Sequence, residues 1–402
     1  MESLSTTETA ISKNIPQLRF PEFEAEWGKS KISKIAAIKS GDTPKRSNEL
    51  FWNGKIPWIS TSLINSNEIS FADEHISDEG LKNSSAKLFP KGSILMAMYG
   101  QGKTRGKVGM LAIEASTNQA CCAIIPKKSI NNFFLFQNLV RRYYEIRRLS
   151  NEGGQKNLSS GIIKSIKVYF LQLPEQQKIA NFLTQVDQKI KLLDKQQTAL
   201  EQYKKGMMQK IFNQEIRFKI ENEAGKLVDP PDWEEKNLGE VCIIKKGEQL
   251  NKSDLTEEGS FPCVNGGVFE SGFTEKYNTK GETITISEGG NSCGYVNFIK
   301  ENFWCGGHCY AITEVNDHIL NDFLFQNLKQ AEIKIMSLRV GSGLPNIQRK
   351  DIMRFKVKLP SLKEQTKIAN FLRAIDTKIE AVAEHSQSHR KWKKGLLQKM
   401  FV

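Results

Sequence analysis

From Ile179 an apolar residue returns every seven positions, through Val186, Leu193, Leu200 and Met207, with Phe182, Leu183, Ile190, Tyr203 and Ile211 widening the stripe. Such a seam predicts a long helix packed in coiled-coil fashion. The seam returns through Ile368, Ile375, Val382 and Leu396, with His389 and Trp392 in the places of Leu200 and Tyr203; Phe371 takes the place of Phe182. Pro174 before Glu175, and Ser361 with Glu364 at capping-box spacing, mark the two starts. The expected helices cover residues 175–212 and 364–402, each about 57 Å long at about 1.5 Å per residue. Gly206 and Gly395 are expected to mark a close helix crossing or a fraying last turn, since glycine inside a helix costs about 1 kcal/mol relative to alanine. The rest of the chain shows a different pattern. Short β-like runs (Ser93–Met98, Val108–Ile113, Ala120–Ile125, Glu282–Ile286, Tyr295–Ile299, Cys309–Thr313) alternate with Gly, Asn and Ser clusters, which predicts mixed α+β domains rich in turns.

The chain is written twice. Residues 133–212 laid over 322–401 at a constant offset of 189 give 31 identities in 80 positions, against about one in sixteen by chance from average residue usage. Phe134–Leu139 returns as Phe323–Leu328, and Lys178–Leu183 as Lys367–Leu372. A weaker echo at offset 206 pairs Trp27 with Trp233, and Ile38–Gly41 with Ile244–Gly247. The expected organisation is a flexible N-terminus (1–15), a first globular domain (16–174), a central helix (175–212), a second globular domain (213–363) and a C-terminal helix (364–402). The expected fold is α+β, with two globular domains separated by a pair of long antiparallel coiled-coil-like helices and an internal pseudo-two-fold repeat. In that arrangement Ile179, Val186 and Leu193 are expected to face Ile368, Ile375 and Val382, with Phe182 and Phe371 also on the helix seam or subunit interface.

Charge narrows the partners. Lys and Arg number 58 against 45 Asp and Glu, a net charge of +13, so the surface on average attracts polyanions. No apolar run approaches the roughly 18 residues of a membrane span, and no secretory signal precedes the first domain, which predicts a cytoplasmic protein with no membrane partner. Seven cysteines, odd in number and unevenly placed, fit reduced thiols.

Most motif-like segments lack the context their chemistry requires. Ala97–Thr104 ends in Gly-Lys-Thr, but Ala97 replaces the first glycine of a phosphate-binding loop and the following residues predict turn and strand where that loop needs a helix. Asp229–Trp233 places Asp232 where an adenine-methyltransferase motif needs an aromatic ring. Cys305–Cys309 offers three zinc-ligand types without a second ligand group at finger-like spacing. No catalytic or metal site is therefore expected. What remains is recognition chemistry. Thr43, Lys45, Arg46, Ser60, Thr61, Lys103, Thr104, Arg105 and Lys107 in the first half, and Asn251, Lys252, Asn265, Ser287, Asn291 and Ser292 in the second, lie in polar Gly-containing loops. Lys and Arg suit phosphates, Arg reads guanine, and Asn reads adenine through paired hydrogen bonds, so these are the candidate DNA-binding residues.

The segments Ser40–Ile59, Gly92–Gly102 and Thr117–Ile124, with the paired helix openings Glu175–Leu183 and Glu364–Leu372, resemble the specificity (S) subunit of type I restriction-modification systems. The resemblance spans nearly the whole chain from about Ile15. It implies that each globular domain is a target recognition domain for double-stranded DNA, and that the target is bipartite with a non-specific spacer. It also implies that the helices bind two methyltransferase subunits and, through the complex, restriction/translocase subunits. The chain itself would be non-catalytic, with S-adenosylmethionine, ATP and Mg2+ on the partners. From the residues alone, a helix-dimerised adaptor whose two heads bind protein is the alternative.

Overall fold

Leu173–Phe212 and Leu362–Met400 form helices of 40 and 39 residues. Each starts two residues ahead of the expected boundary; Pro174 fits the first turn, where its missing N–H would have no helical partner in any case. The computed structural model describes residues 14–100, 102–149, 157–341, 343 and 345–402, so most of the expected flexible N-terminus lies outside the described residues. The chain forms two compact units, residues 1–193 with 385–402 and residues 194–384. Each long helix therefore gives one part to each unit.

In the first unit Ile179, Leu183, Val186 and Ile190, near the start of the first long helix, pack with Leu396, Leu397, Met400 and Phe401 from the end of the second. Trp27, Phe134 and Phe401 close an aromatic triad, with ring centroids 5.8, 6.1 and 5.1 Å apart. In the second unit Ile368, Leu372 and Ile375 pack with Met208 and Ile211. There Phe212 completes the triad, 6.1 Å from Trp233 and 5.8 Å from Phe323. The helix pairing is thus antiparallel. It also corrects the expected seam: Ile179 and Val186 meet the end of the second helix, and Ile368 and Ile375 meet the end of the first, because antiparallel partners join start to end. Phe182 stands 6.1 Å from Trp392, and Phe371 5.6 Å from Phe218. Leu193 is buried and Val382 half-buried.

Polar contacts repeat the exchange. Asp187 accepts from Gln137 at 3.1 Å and pairs with Lys393 at 2.7 Å; Asp376 accepts from Gln326 at 3.2 Å and pairs with Lys204 at 2.7 Å. At the helix openings, buried Gln176 accepts from the Asn131 N–H and donates to the Ser129 and Leu171 carbonyls. Gln365 does the same with Leu320, His318 and Pro360. The neighbouring carboxylates each hold an arginine, Arg19 on Glu175 and Arg217 on Glu364, both at 2.8 Å. Glu364 therefore does not serve the expected capping box; the Ser361 hydroxyl is buried without a partner, and the carboxylate is committed to Arg217 and the Trp233 indole. Gly206 and Gly395 lie inside their helices with open space where a Cβ would stand, so neither marks a close crossing or a helix end.

Each globular head is built on an antiparallel sheet. In the first head the strand order is Ala36–Ser40, Cys121–Pro126, Ile94–Ala97, Val108–Leu111, with Glu68–Ile69 added parallel at the edge. In the second head it is Ile243–Lys246, Cys309–Thr313, Thr283–Ser287, Val296–Ile299. The central strands are buried on both faces, which is why they read as continuous apolar runs. A smaller three-stranded sheet flanks each, with a parallel pair at Trp58↔Ser116 and Ile59↔Thr117 in one head and at Cys263↔Trp304 and Val264↔Cys305 in the other. All seven cysteines are buried free thiols, and burial pushes the Cys121 thiol up to about 12. Among the described residues no helix is long and apolar enough to cross a membrane.

The exchanged phenylalanines carry a testable consequence. Phe401→Ala should destabilise the first unit by about 3–5 kcal/mol, the usual cost of emptying a buried aromatic site, and Phe212→Ala, at a half-buried site, should destabilise the second by less. Hydrogen exchange resolved by peptide checks this: protection should fall in residues 14–193 for the first variant and in 194–384 for the second.

Candidate nucleic-acid interface

Strand register aligns the two heads residue by residue. Ala97 opposes Cys121 as Ser287 opposes Cys309, and Ile59 opposes Thr117 as Val264 opposes Cys305. Four loops leave corresponding strand ends: 41–48, 60–64, 98–100 with 102–106, and 118–120 in the first head, and 247–252, 265–272, 288–294 and 306–308 in the second. Hydrogen bonds between the loops hold them together. In the first head Asp42 N–H donates to Thr117 O at 2.9 Å, Trp58 Nε1 to Asp42 O at 3.1 Å and Met98 N–H to Ala120 O at 2.8 Å. In the second, Glu248 N–H donates to Cys305 O, Trp304 Nε1 to Glu248 O and Glu288 N–H to His308 O, within 2.8–2.9 Å.

Two glycines make this convergence possible. A Cβ at Gly41 would stand 2.1 Å from Thr117 O, and one at Gly247 would stand 2.3 Å from Gly306 O. The first loop thus lies directly on the backbone of the last, and any larger residue would separate them. The sequence echo of Ile38–Gly41 in Ile244–Gly247 is the trace of that packing.

The candidate DNA-binding residues divide sharply in this frame. Lys45, Lys103, Asn251, Lys252 and Asn291 are exposed on the loops. Thr43 donates to Gln119 at 2.5 Å, the Ser60 and Ser62 hydroxyls lie 2.6 Å apart, and Lys107 reaches Asn65 at 2.6 Å, so these side chains brace the platform. Thr61 and Thr104 are half-buried beside them. Arg46 is exposed but already engaged. Its guanidinium makes two hydrogen bonds to Glu74 and stacks 3.8 Å from the Trp52 ring, and it holds the Glu74 carboxyl below its usual range through that hydrogen bond.

Four expectations change with the structure. Arg105 is only 8% exposed and donates to Arg147 O at 3.4 Å. It occupies the place of the buried Cys293, because Gly106 and Gly294 take equivalent positions with φ of +83° and +89° and their N–H groups bond to Ala97 O and Ser287 O. Ser287 is 3% exposed, and its hydroxyl, with that of Ser292, donates to Gly266 O at 2.5 and 2.6 Å. Asn265 accepts from His308 N–H at 3.1 Å. Arg105, Ser287, Ser292 and Asn265 therefore shape loops and do not stand free to meet bases.

A charged cluster that sequence reading missed lies beneath the second platform. Glu288, 5% exposed, accepts from Lys246 at 2.6 Å and from the Tyr310 hydroxyl at 2.9 Å. Burial followed by the Glu288 hydrogen bond raises the Tyr310 hydroxyl above its ordinary range. The first head has Met98, Ser40 and Cys122 at the corresponding positions, so this floor differs between heads. Only the strand register shows that Lys246, Glu288 and Tyr310 share a site; their spacing along the chain does not. In the second unit, a separate cleft of about 1080 Å³ is lined by Lys210, Lys334, Arg354, Lys356 and Lys358. Segment 103–111 continues as turn and strand, so Lys103 heads no helix.

Comparison with known proteins points the same way. A family model described as the type I restriction modification DNA specificity domain matches residues 24–202 and again 230–387. A Mycoplasma pneumoniae relative, itself a candidate type I specificity subunit, is 34% identical over 179 residues, 44% of this chain and 48% of that protein. The chain thus spans about half the length of the curated Mycoplasma relatives it matches. A specificity subunit of a type I restriction enzyme from Methanocaldococcus jannaschii is 25% identical over 372 residues, 83% of each chain. The crystal structure of a type I restriction-modification S subunit from M. genitalium shares the fold, with a TM-score of 0.64 at 20% identity, covering 96% of this chain and 99% of that one. With the specificity-domain model matched twice, once over each head and the helix that follows it, the chain belongs to the DNA specificity subunits of type I restriction-modification systems.

Proposed function

We propose that the chain reads a bipartite target in double-stranded DNA, one half-site with each head, across a spacer of unspecified sequence. In the same reading it positions two adenine-N6 methyltransferase subunits and, through them, the restriction/translocase subunits. The observation that carries this is a four-loop platform built twice on one backbone plan with different side chains on it. Duplicated geometry with divergent chemistry suits two half-sites that differ in sequence. Lys45 and Lys103, exposed on the first platform, are the residues this reading assigns to phosphates, and Asn251 and Asn291, exposed on the second, those it assigns to base edges or sugars. The chain does no chemistry of its own in this reading; S-adenosylmethionine, ATP and Mg2+ belong to the partner subunits, in the cytoplasm.

The primary test is an exchange of heads. Strands Gly28–Lys31 and Lys167–Phe170 pair antiparallel and close the first head, so residues 28–172 form the natural cassette. Replacing them with the first head of another specificity subunit should change one half of the target and leave the other half intact, as read by mapping methylated adenines in a cell carrying the complete system. A change in both halves would overturn the modular reading.

Lys103 and Arg105 should separate phosphate contact from loop building. Lys103→Ala should weaken DNA binding and reduce its salt dependence by about one unit for one lost phosphate contact. Arg105→Ala should lower thermal stability and leave the salt slope unchanged, measured by titrations at several ionic strengths beside a thermal melt.

The helices should act as a ruler. Four residues inserted near Gln196 add about 6 Å while nearly keeping the apolar stripe in phase, which corresponds to about two base pairs at roughly 3.4 Å each. The spacer should lengthen by one or two base pairs with both half-sites unchanged. An active variant with an unchanged spacer would show that the helices do not set the distance.

A further inference from the structure

Charge is divided unequally between the heads. Residues 14–172 carry 23 Lys and Arg against 13 Asp and Glu, a net of +10, whereas residues 213–361 carry 18 against 22, a net of −4. Neutralising phosphates is the main source of sequence-independent DNA affinity, and it requires excess cations. The first head has them. The second, as a whole, does not, and its one basic residue at the floor of the platform, Lys246, is bound to Glu288. A head of this charge needs a contact whose strength does not come from counterion release.

One loop offers such a contact. Residues 265–272 return the chain between two short strands, and Cys263 closes the loop by donating to Gly272 O at 2.9 Å and accepting from Ser271 N–H at 2.8 Å. The Ser287 and Ser292 hydroxyls hold the Gly266 carbonyl from below, and the Asn265 side chain is tied to the His308 backbone. Gly266 has φ of +82°, and a Cβ there would stand 2.4 Å from His308 O, so the loop is pressed onto its neighbour. From this clamped base Phe269 projects with 80% of its surface exposed, beside Val268 at 47%. The corresponding loop of the first head, Ser60–Ile64, presents hydroxyls and a half-buried Leu63. An apolar ring held out in water by a fixed loop gains nothing in the free protein. The ends of the loop are ordered before binding, which lowers the cost of whatever buries the ring.

We infer that Phe269 is the residue with which the second head enters DNA, its ring inserting between neighbouring base pairs of that head's half-site. Apolar wedges of this kind partly unstack one base step and kink the duplex, and because ring–base stacking neutralises no phosphate it releases no counterions and adds nothing to the salt slope. This rests on the DNA-reading role proposed above and adds a division of labour: the first head anchors by charge, and the second by stacking.

The test uses the complete chain assembled with its methyltransferase subunits, on duplexes carrying the target found by methylation mapping. 2-Aminopurine is placed in turn at each purine position of the second head's half-site other than the methylated adenine. Wild type should raise the fluorescence at one step, by unstacking. Phe269→Ala should abolish that rise and weaken binding about tenfold, with the salt slope unchanged; Phe269→Trp should restore both. A wild-type complex that binds without any such rise, or a Phe269→Ala complex that binds as tightly as wild type, would overturn the inference and leave the bipartite reading standing. Loss of a methyltransferase subunit from the Phe269→Ala complex would also overturn it, by making the ring a protein contact. A wild-type complex that does not bind the mapped duplex would overturn the DNA reading itself.

Discussion

Each head's core is closed by a phenylalanine from the far end of the sequence's other repeat: Phe401 beside Trp27 and Phe134, Phe212 beside Trp233 and Phe323. This exchange orders much of the rest. Trp27 is buried, and Trp233 half-buried, against the docked end of the opposite helix, so helix pairing and head packing are coupled within each unit. The contact spans more than 260 residues in the first unit, yet loop-closure entropy grows only logarithmically with length, and a buried aromatic triad offsets it. The buried amides Gln176 and Gln365 set the angle between head and helix. Each joins the segment ahead of a short head helix (Ser129 and Asn131, or His318 and Leu320) to the carbonyl five residues before it (Leu171 or Pro360), and a buried amide without those partners would be strongly unfavourable.

The heads show how one frame carries two different surfaces. Their central strands, their positive-φ glycines at Gly106 and Gly294, and their loop-on-loop contacts at Gly41 and Gly247 are equivalent. Divergence is concentrated in what the loops hold up and in the floor beneath them: Met98, Ser40 and Cys122 in one head, and Glu288, Lys246 and Tyr310 in the other. Backbone hydrogen bonds carry the shared frame, so side chains at the loop tips vary without disturbing it. Many polar side chains that look like readers are spent on construction. Ser287 and Ser292 satisfy a carbonyl at a tight turn, and Arg105 fills a space that a cysteine fills in the other head.

The repeat, the two long helices, the α+β character of the heads and the family are all legible in the amino-acid order. Those properties are written in local periodicity and in residue identity at a fixed offset, which survive without knowledge of distance. It also marked Trp27, Trp233, Gly41, Gly247 and the Glu-Gln helix openings as special, without saying why. Their roles emerge in the folded chain, because each depends on a partner far away in sequence: Trp27 on Phe401, Gly41 on Thr117, Gln176 on Asn131 and Glu364 on Arg217. The direction of helix pairing was legible, but the pairing of Ile179 with the end of the second helix was not, since a heptad seam fixes a face and leaves register open. Loop residues were the least legible. Whether a serine or arginine meets solvent or a carbonyl is a matter of a few ångströms of backbone path, and nothing in residue type or spacing encodes that path.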